Sequence, residues 1–149
     1  EERAGGSPLP AAAGLRAPRT SVPSLDTNIL LRWLLDDVPE QTAGADALVG
    51  SGERLTVPDV ALIETVYVLE RVIGLSRATV ALSVETVLGV ANLDVDRTTW
   101  RESLDDYLAH PKASMTDAYL AAQAGEAVDT AWTFDRKLAQ QIDGTRLRQ

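Results

Sequence analysis

At 149 residues the chain fits one domain, long enough to bury close to about 70% of its unfolded surface without cross-links. With no cysteine and a single histidine, His110, it excludes a disulfide framework, a thiolate zinc site, a cysteine nucleophile and chemistry built on paired imidazoles. A net charge of −8 excludes broad electrostatic attraction to nucleic acid, and no apolar run approaches the roughly 18 residues of a membrane span.

Residues 1–21, EERAGGSPLPAAAGLRAPRTS, are rich in Ala, Gly, Pro and Arg without apolar period, and read as an N-terminal extension or linker rather than a targeting segment. Residues 22–149 then alternate short β-like runs with amphipathic stretches. Val22 to Leu25 predicts a strand, Asn28 to Leu35 a helix, and Pro39 to Val49 a second helix stopped by Gly50 and Gly52. Leu55 to Val57 predicts another strand, Asp59 to about Ile73 a long helix ended by Gly74, and Arg77 to about Val90 a further helix. Leu93 to Val95 is a third strand, followed by Asp96 placed to cap a helix running to about His110. Thr116 to Ala124 is helical, Thr130 to Thr133 a strand, Arg136 to Gln141 helical, and Thr145 to Leu147 an edge strand. Strands alternating with helices predict a parallel sheet covered on both faces, with sites beyond the carboxyl ends of its strands. Trp33, Trp100 and Trp132 read as core or interface aromatics, and His110 as a helix-end residue.

Four acids stand out in this pattern. Asp26, in SLDTNILL, sits where the first strand gives way to the first helix. Glu64 is the one charge within VALIETVYVL, and an unpaired carboxylate buried there would cost several kcal/mol, so it needs a compensating role or a place at the solvent edge. Asp117, in SMTDAYLAA, follows Ser114 by three residues and fits a capping box as well as a site. Asp135, in TFDRKLA, fits a helix cap, yet Arg136 and Lys137 crowd the same first turn, where the helix dipole disfavours cations unless an anion or a carboxylate cluster compensates.

Taken together, LDTNILL, the isolated acid in ALIETVYVLER, TDAYLAAQA and TFDRKLA, in this order and at these spacings, resemble the PIN-domain family, specifically its VapC-type toxin ribonucleases, over Ser21 to about Leu147. The resemblance implies a three-layer α/β/α sandwich with a central parallel sheet. It also implies that Asp26, Glu64, Asp117 and Asp135 form an acidic site holding Mg²⁺ or Mn²⁺, with Asn28 and Thr133 at neighbouring polar positions. Hard cations take oxygen ligands, and close carboxylates stay ionised together only with positive charge between them. Arg136 and Lys137 are then candidates to hold substrate phosphate. The implied activity is cleavage of structured RNA by a metal-activated water in the cytoplasm, as the toxin of a toxin-antitoxin pair. A cognate antitoxin would cover the site, with the apolar stretches NILLRWLL and VALIETVYVL lining its groove, and the chain would form a homodimer. The stretch PKASMTDA departs from the family's commonest wording before Asp117. A non-catalytic PIN-like interaction domain is the alternative; a haloacid-dehalogenase-like phosphatase would need a second Asp where Asn28 stands.

Overall fold

A computed structural model of the chain describes residues 22–126, 131–133, 140, 142 and 145–147. Six α-helices lie among them: α1 (Thr27–Leu35), α2 (Pro39–Val49), α3 (Asp59–Tyr67), α4 (Arg77–Leu88), α5 (Arg97–Ala109) and α6 (Met115–Glu126). Between them run the short strands β1 (Leu55–Thr56) and β2 (Leu93–Asp94), and later β3 (Ala131–Thr133) and β4 (Thr145–Leu147). β1 pairs with β2 and β3 with β4, both in parallel. The stretch expected as a first strand, Val22 to Leu25, makes a single parallel bridge, Ser24 opposite Thr56. Pro23 cannot donate to a ladder, but its carbonyl accepts from Thr56 N at 2.8 Å while Leu25 N donates to Thr56 O at 2.8 Å.

This pairing sets the position of everything that follows. Ser24, Thr56 and Asp94 stand level across the three segments. Three residues beyond that level, at Thr27, Asp59 and Arg97, a helix begins. α1, α3 and α5 therefore start at one common edge, the carboxyl edge of the parallel strands. Asp26 caps α1 by accepting from Ile29 N at 2.9 Å, and Asp96 caps α5 by accepting from Thr99 N at 3.2 Å.

The helix expected to run unbroken to Ile73 does not. α3 ends at Tyr67 and passes into a π-helical turn, Val68–Val72, in which Ile73 N reaches back five residues to Val68 O at 2.9 Å. The wider turn carries Glu70 to α5, where Tyr107 Oη donates to Glu70 Oε2 at 2.9 Å. Arg77 joins the same cluster, with Nη1 3.6 Å from Glu70 Oε1 and its guanidinium 3.5 Å from the Tyr107 ring centre. It also donates to the carbonyls of Tyr107, His110 and Ala113. Gly74, at φ +84°, then turns the chain toward α4. His110 is the residue at the end of α5, as the sequence implies, its N–H donating to Asp106 O.

The core is one continuous cluster. Leu30, Leu55, Leu62, Leu69, Val80 and Trp100 are fully enclosed. Trp100 packs its ring against Tyr119 at 4.8 Å between centroids and donates its indole N–H to Asp59 Oδ1 at 2.9 Å, so the heaviest core side chain also finds its polar partner. Ala118, Ala121 and Ala122 are buried on α6, and their small side chains let it lie close on α5. Trp33 packs partly buried against the core. The extension 1–21, the helix expected at Arg136–Gln141 apart from residue 140, and the side chain of Trp132 lie outside the described residues.

Two expectations follow. Burial, then the hydrogen bond to Glu70, pushes the Tyr107 hydroxyl up to about 12 against the partly offsetting charge of Arg77. A phenol whose folded pKa is raised contributes stability below its unfolded pKa near 10 and loses it as pH climbs toward 12. Ultraviolet titration should show one tyrosine ionising near the top of that range, and Tyr107→Phe should remove that step; an unchanged titration curve would contradict the assignment. Separately, Arg97 donates to Leu88 O, Val90 O and Leu93 O at 2.9, 2.7 and 2.9 Å, tying the end of α4 to β2. Arg97→Met should cost about 2 kcal/mol in urea unfolding, and a loss within error of zero would show that these carbonyls find other donors.

Candidate functional site

Glu64 is tied to the residue next to Asp26, one that sequence reasoning passed over. Thr27, next to Asp26 and first in α1, donates its hydroxyl to Glu64 Oε2 at 2.9 Å across 37 residues of chain. The same hydroxyl lies 3.5 Å from Ala61 O, one turn before Glu64 on α3. The signal available in the sequence was the hydroxyl directly beside the acid in LDTN. Asp26 and Glu64 are both exposed, Asp26 just before α1 begins and Glu64 in the middle of α3.

The exposure of Glu64 corrects the argument from desolvation. The carboxylate is not buried among apolar side chains. It lies on an exposed stripe with Val60, 71% exposed, and Tyr67, 61% exposed, four residues before and three after it on the same helical face. The apolar neighbours that made Glu64 conspicuous face solvent with it, while Ala61, Leu62, Thr65 and Val66 turn inward.

Asp117 is half-buried in the first turn of α6 and forms the capping box that its spacing allows. Ser114 Oγ donates to Asp117 Oδ2 at 2.8 Å, Ser114 N to the same oxygen at 3.4 Å, and Asp117 N donates back to Ser114 Oγ at 3.1 Å. α6 packs on α3 and α5. Asp135, Arg136 and Lys137 lie outside the described residues, and so does the side chain of Thr133. Asn28 is in place, exposed beside Asp26.

One regularity runs through the three described acids. Each has one oxygen held by the protein: Asp26 Oδ1 by Ile29 N, Glu64 Oε2 by Thr27, Asp117 Oδ2 by Ser114. Each keeps its other oxygen without a hydrogen-bond partner among the described residues. Asp96, at the same strand edge, differs: both its oxygens serve Thr99, through N at 3.2 Å and Oγ1 at 2.7 Å. An acid anchored through one oxygen and open at the other is oriented without being used up. Among the described residues no three His, Asp or Glu side chains close on a common point. Asp26, Glu64 and Asp117 therefore do not meet as one three-acid cluster, though their oxygen donors are of the kind a hard cation such as Mg²⁺ takes.

A groove of about 580 Å³ opens between α1 and α2. Its lining includes Asp26, Asn28, Ile29, Arg32, Gln41 and Leu48. Arg32 and Gln41 were not singled out in the sequence, although Arg32 is the one basic residue in NILLRWLL.

A family model described as the PIN domain matches residues 24–143, from the Ser24 bridge onward. No curated protein matches the chain.

The cap geometry separates the structural duty of Asp26 from any other. Asn caps a helix as well as Asp does, so Asp26→Asn should leave stability within a few tenths of a kcal/mol, while Asp26→Ala should lose about 1 kcal/mol. Urea unfolding of the two variants measures it; equal losses would show that the bond to Ile29 N is not the stabilising contact.

Proposed function

This chain belongs to the PIN-domain family, whose members are generally nucleases on a three-layer α/β/α fold, and we propose that it is a metal-dependent endoribonuclease, the toxin of a toxin-antitoxin pair. The observation that carries the reading is that Thr27, the residue after Asp26, bonds Glu64, while Asp26 and Glu64 each have one carboxylate oxygen without a hydrogen-bond partner among the described residues. Bound Mg²⁺ or Mn²⁺ would supply an activated water and neutralise charge at the phosphorus. Asp26 and Glu64 would hold the ion, Thr27 would keep the Glu64 carboxylate turned, and Asp117 and Asp135 would complete the acidic set. Asn28, Thr133, Arg136 and Lys137 would contact the RNA. The N-termini of α1, α3 and α5 at that edge offer partial positive charge to an anionic substrate, which offsets in part the obstacle of a chain at −8.

The antitoxin belongs on α3. Leu30 and Leu31 of NILLRWLL are core, and its other apolar residues pack against the core. The exposed apolar surface beside the acids is Val60 and Tyr67, so a partner segment lying on α3 would cover Glu64 as it covers them. Leu82 and Leu108 supply further exposed apolar surface for a second copy in a homodimer. Among the described residues no helix is long and apolar enough to cross a membrane, and we place the protein in the cytoplasm with its RNA. The Val60 and Tyr67 stripe also favours a second reading, a PIN-like interaction domain without chemistry.

Cleavage of single-stranded and structured RNA in Mg²⁺ or Mn²⁺, against an EDTA control, decides between them. Wild type should cut only with metal, and Asp26→Asn and Glu64→Gln should each lower the rate at least about 100-fold with the fold intact. Intact RNA with wild type in either metal would leave the interaction domain as the function.

A further inference from the structure

We propose that the groove between α1 and α2 seats one unstacked nucleotide of the RNA strand beside Asp26, with Asn28, Gln41 and Arg32 as its polar contacts; the occupant, though not the groove, rests on the nuclease reading. The groove begins at an acid of the candidate site, because Asp26 is part of its lining, and Arg32 stands about 9 Å further along α1 at the ordinary helical rise. Its volume suits a single small ligand and not a duplex.

The lining has the chemistry of base recognition. Ile29, Ala45 and Leu48 give an apolar floor. Asn28 and Gln41 each carry a carboxamide with both donor and acceptor, the pattern that matches the edges of nucleobases. Arg32 is held in advance through one nitrogen: its Nη1 lies 2.6 Å from both oxygens of Asp37. Nε and Nη2 have no partner among the described residues, so a flat cationic face and a free donor edge remain for a base or its phosphate. Gly44 also lines the groove, and a Cβ built there meets nothing within 4 Å, so a side chain at this position has open space to occupy.

Net charge makes such a seat useful. A chain at −8 gains little from bulk attraction to phosphate, so contacts to a base add affinity that bulk charge does not supply. A protein segment is the poorer occupant. Among the described residues, the large apolar side chains left exposed are on α3, α4, α5, α6 and the turn after α3, none on α1 or α2.

The test uses the full chain and four single-stranded RNA tetranucleotides, each of one base, titrated in EDTA so that cleavage does not intervene. Side-chain amide signals of Asn28 and Gln41 and the Arg32 Nε signal are followed by nuclear magnetic resonance. At least one tetranucleotide should move all three in wild type. Gly44→Leu, which fills the groove and replaces a poor helix former, should bind at least tenfold more weakly while melting no lower than wild type. Gln41→Ala, at an exposed helical position, should weaken binding several-fold. Signals that stay still with all four tetranucleotides, or a Gly44→Leu protein that binds as wild type does, would overturn the proposal. So would a peptide that moves these signals where RNA does not. Cleavage by wild type in Mg²⁺ is scored separately: failure there sinks the nuclease reading and leaves the binding result standing on its own.

Discussion

The parallel pairing of residues 23–25 with Thr56, and of Leu55 and Thr56 with Leu93 and Asp94, is the constraint on which the site depends. It is a short ladder. Yet it sets Ser24, Thr56 and Asp94 level and so starts three helices at one edge, three residues further on. Once α1 and α3 begin side by side, the first hydroxyl of α1 reaches the middle of α3, and Thr27 can bond Glu64. A slip of one residue in that pairing would turn Leu25 outward and Asp26 inward, so the buried Leu25, 1% exposed, locks the register that exposes the acid.

The same edge shows how one residue type serves two purposes. Asp96 spends both oxygens on Thr99 and so fastens the fold, whereas Asp59 gives one to the indole of buried Trp100 and, among the described residues, has no hydrogen-bond partner for the other. Asp26, Glu64 and Asp117 are each fastened by one oxygen, and the other has no hydrogen-bond partner among the described residues. A cap requires only one acceptor, so capping and ligation need not compete for Asp26 or Asp117. The capping box at Asp117 is therefore compatible with both readings of its Ser-x-x-Asp spacing. Where a carboxylate is held by one oxygen, its orientation is set before any ion arrives, and that is what a metal site made of few protein ligands requires.

Much of this was legible in the chain. The Gly50 and Gly52 stop after Val49, the cap at Asp96 and the strand at Leu93 follow from local chemistry that tertiary contacts do not override, and α2 has the bounds its Pro39 start implies. The π-helical turn was not legible, because nothing local in VLERV distinguishes it from α-helix, and the contacts its Glu70 makes, with Tyr107 and Arg77, come from elsewhere in the chain. For the candidate site, Asp26 and Glu64 stood out in the sequence, but for Glu64 the reason given was desolvation and the fact is exposure. Apolar residues on a helix signal burial only on average, and Val60 and Tyr67 are exposed exceptions. Thr27 and Arg32 escaped notice because their partners or cavity come from α3 and α2, which spacing along α1 alone does not bring into view.

The central claim is that the open oxygens beside Thr27 take a divalent ion, and paramagnetic broadening by Mn²⁺ tests it most directly. At sub-stoichiometric Mn²⁺, backbone amide signals of Asp26, Thr27, Asn28 and Glu64 should broaden first and together, and excess Mg²⁺ should restore them. Broadening spread evenly over the acidic surface, or centred on Asp59 and Asp96 instead, would contradict the account.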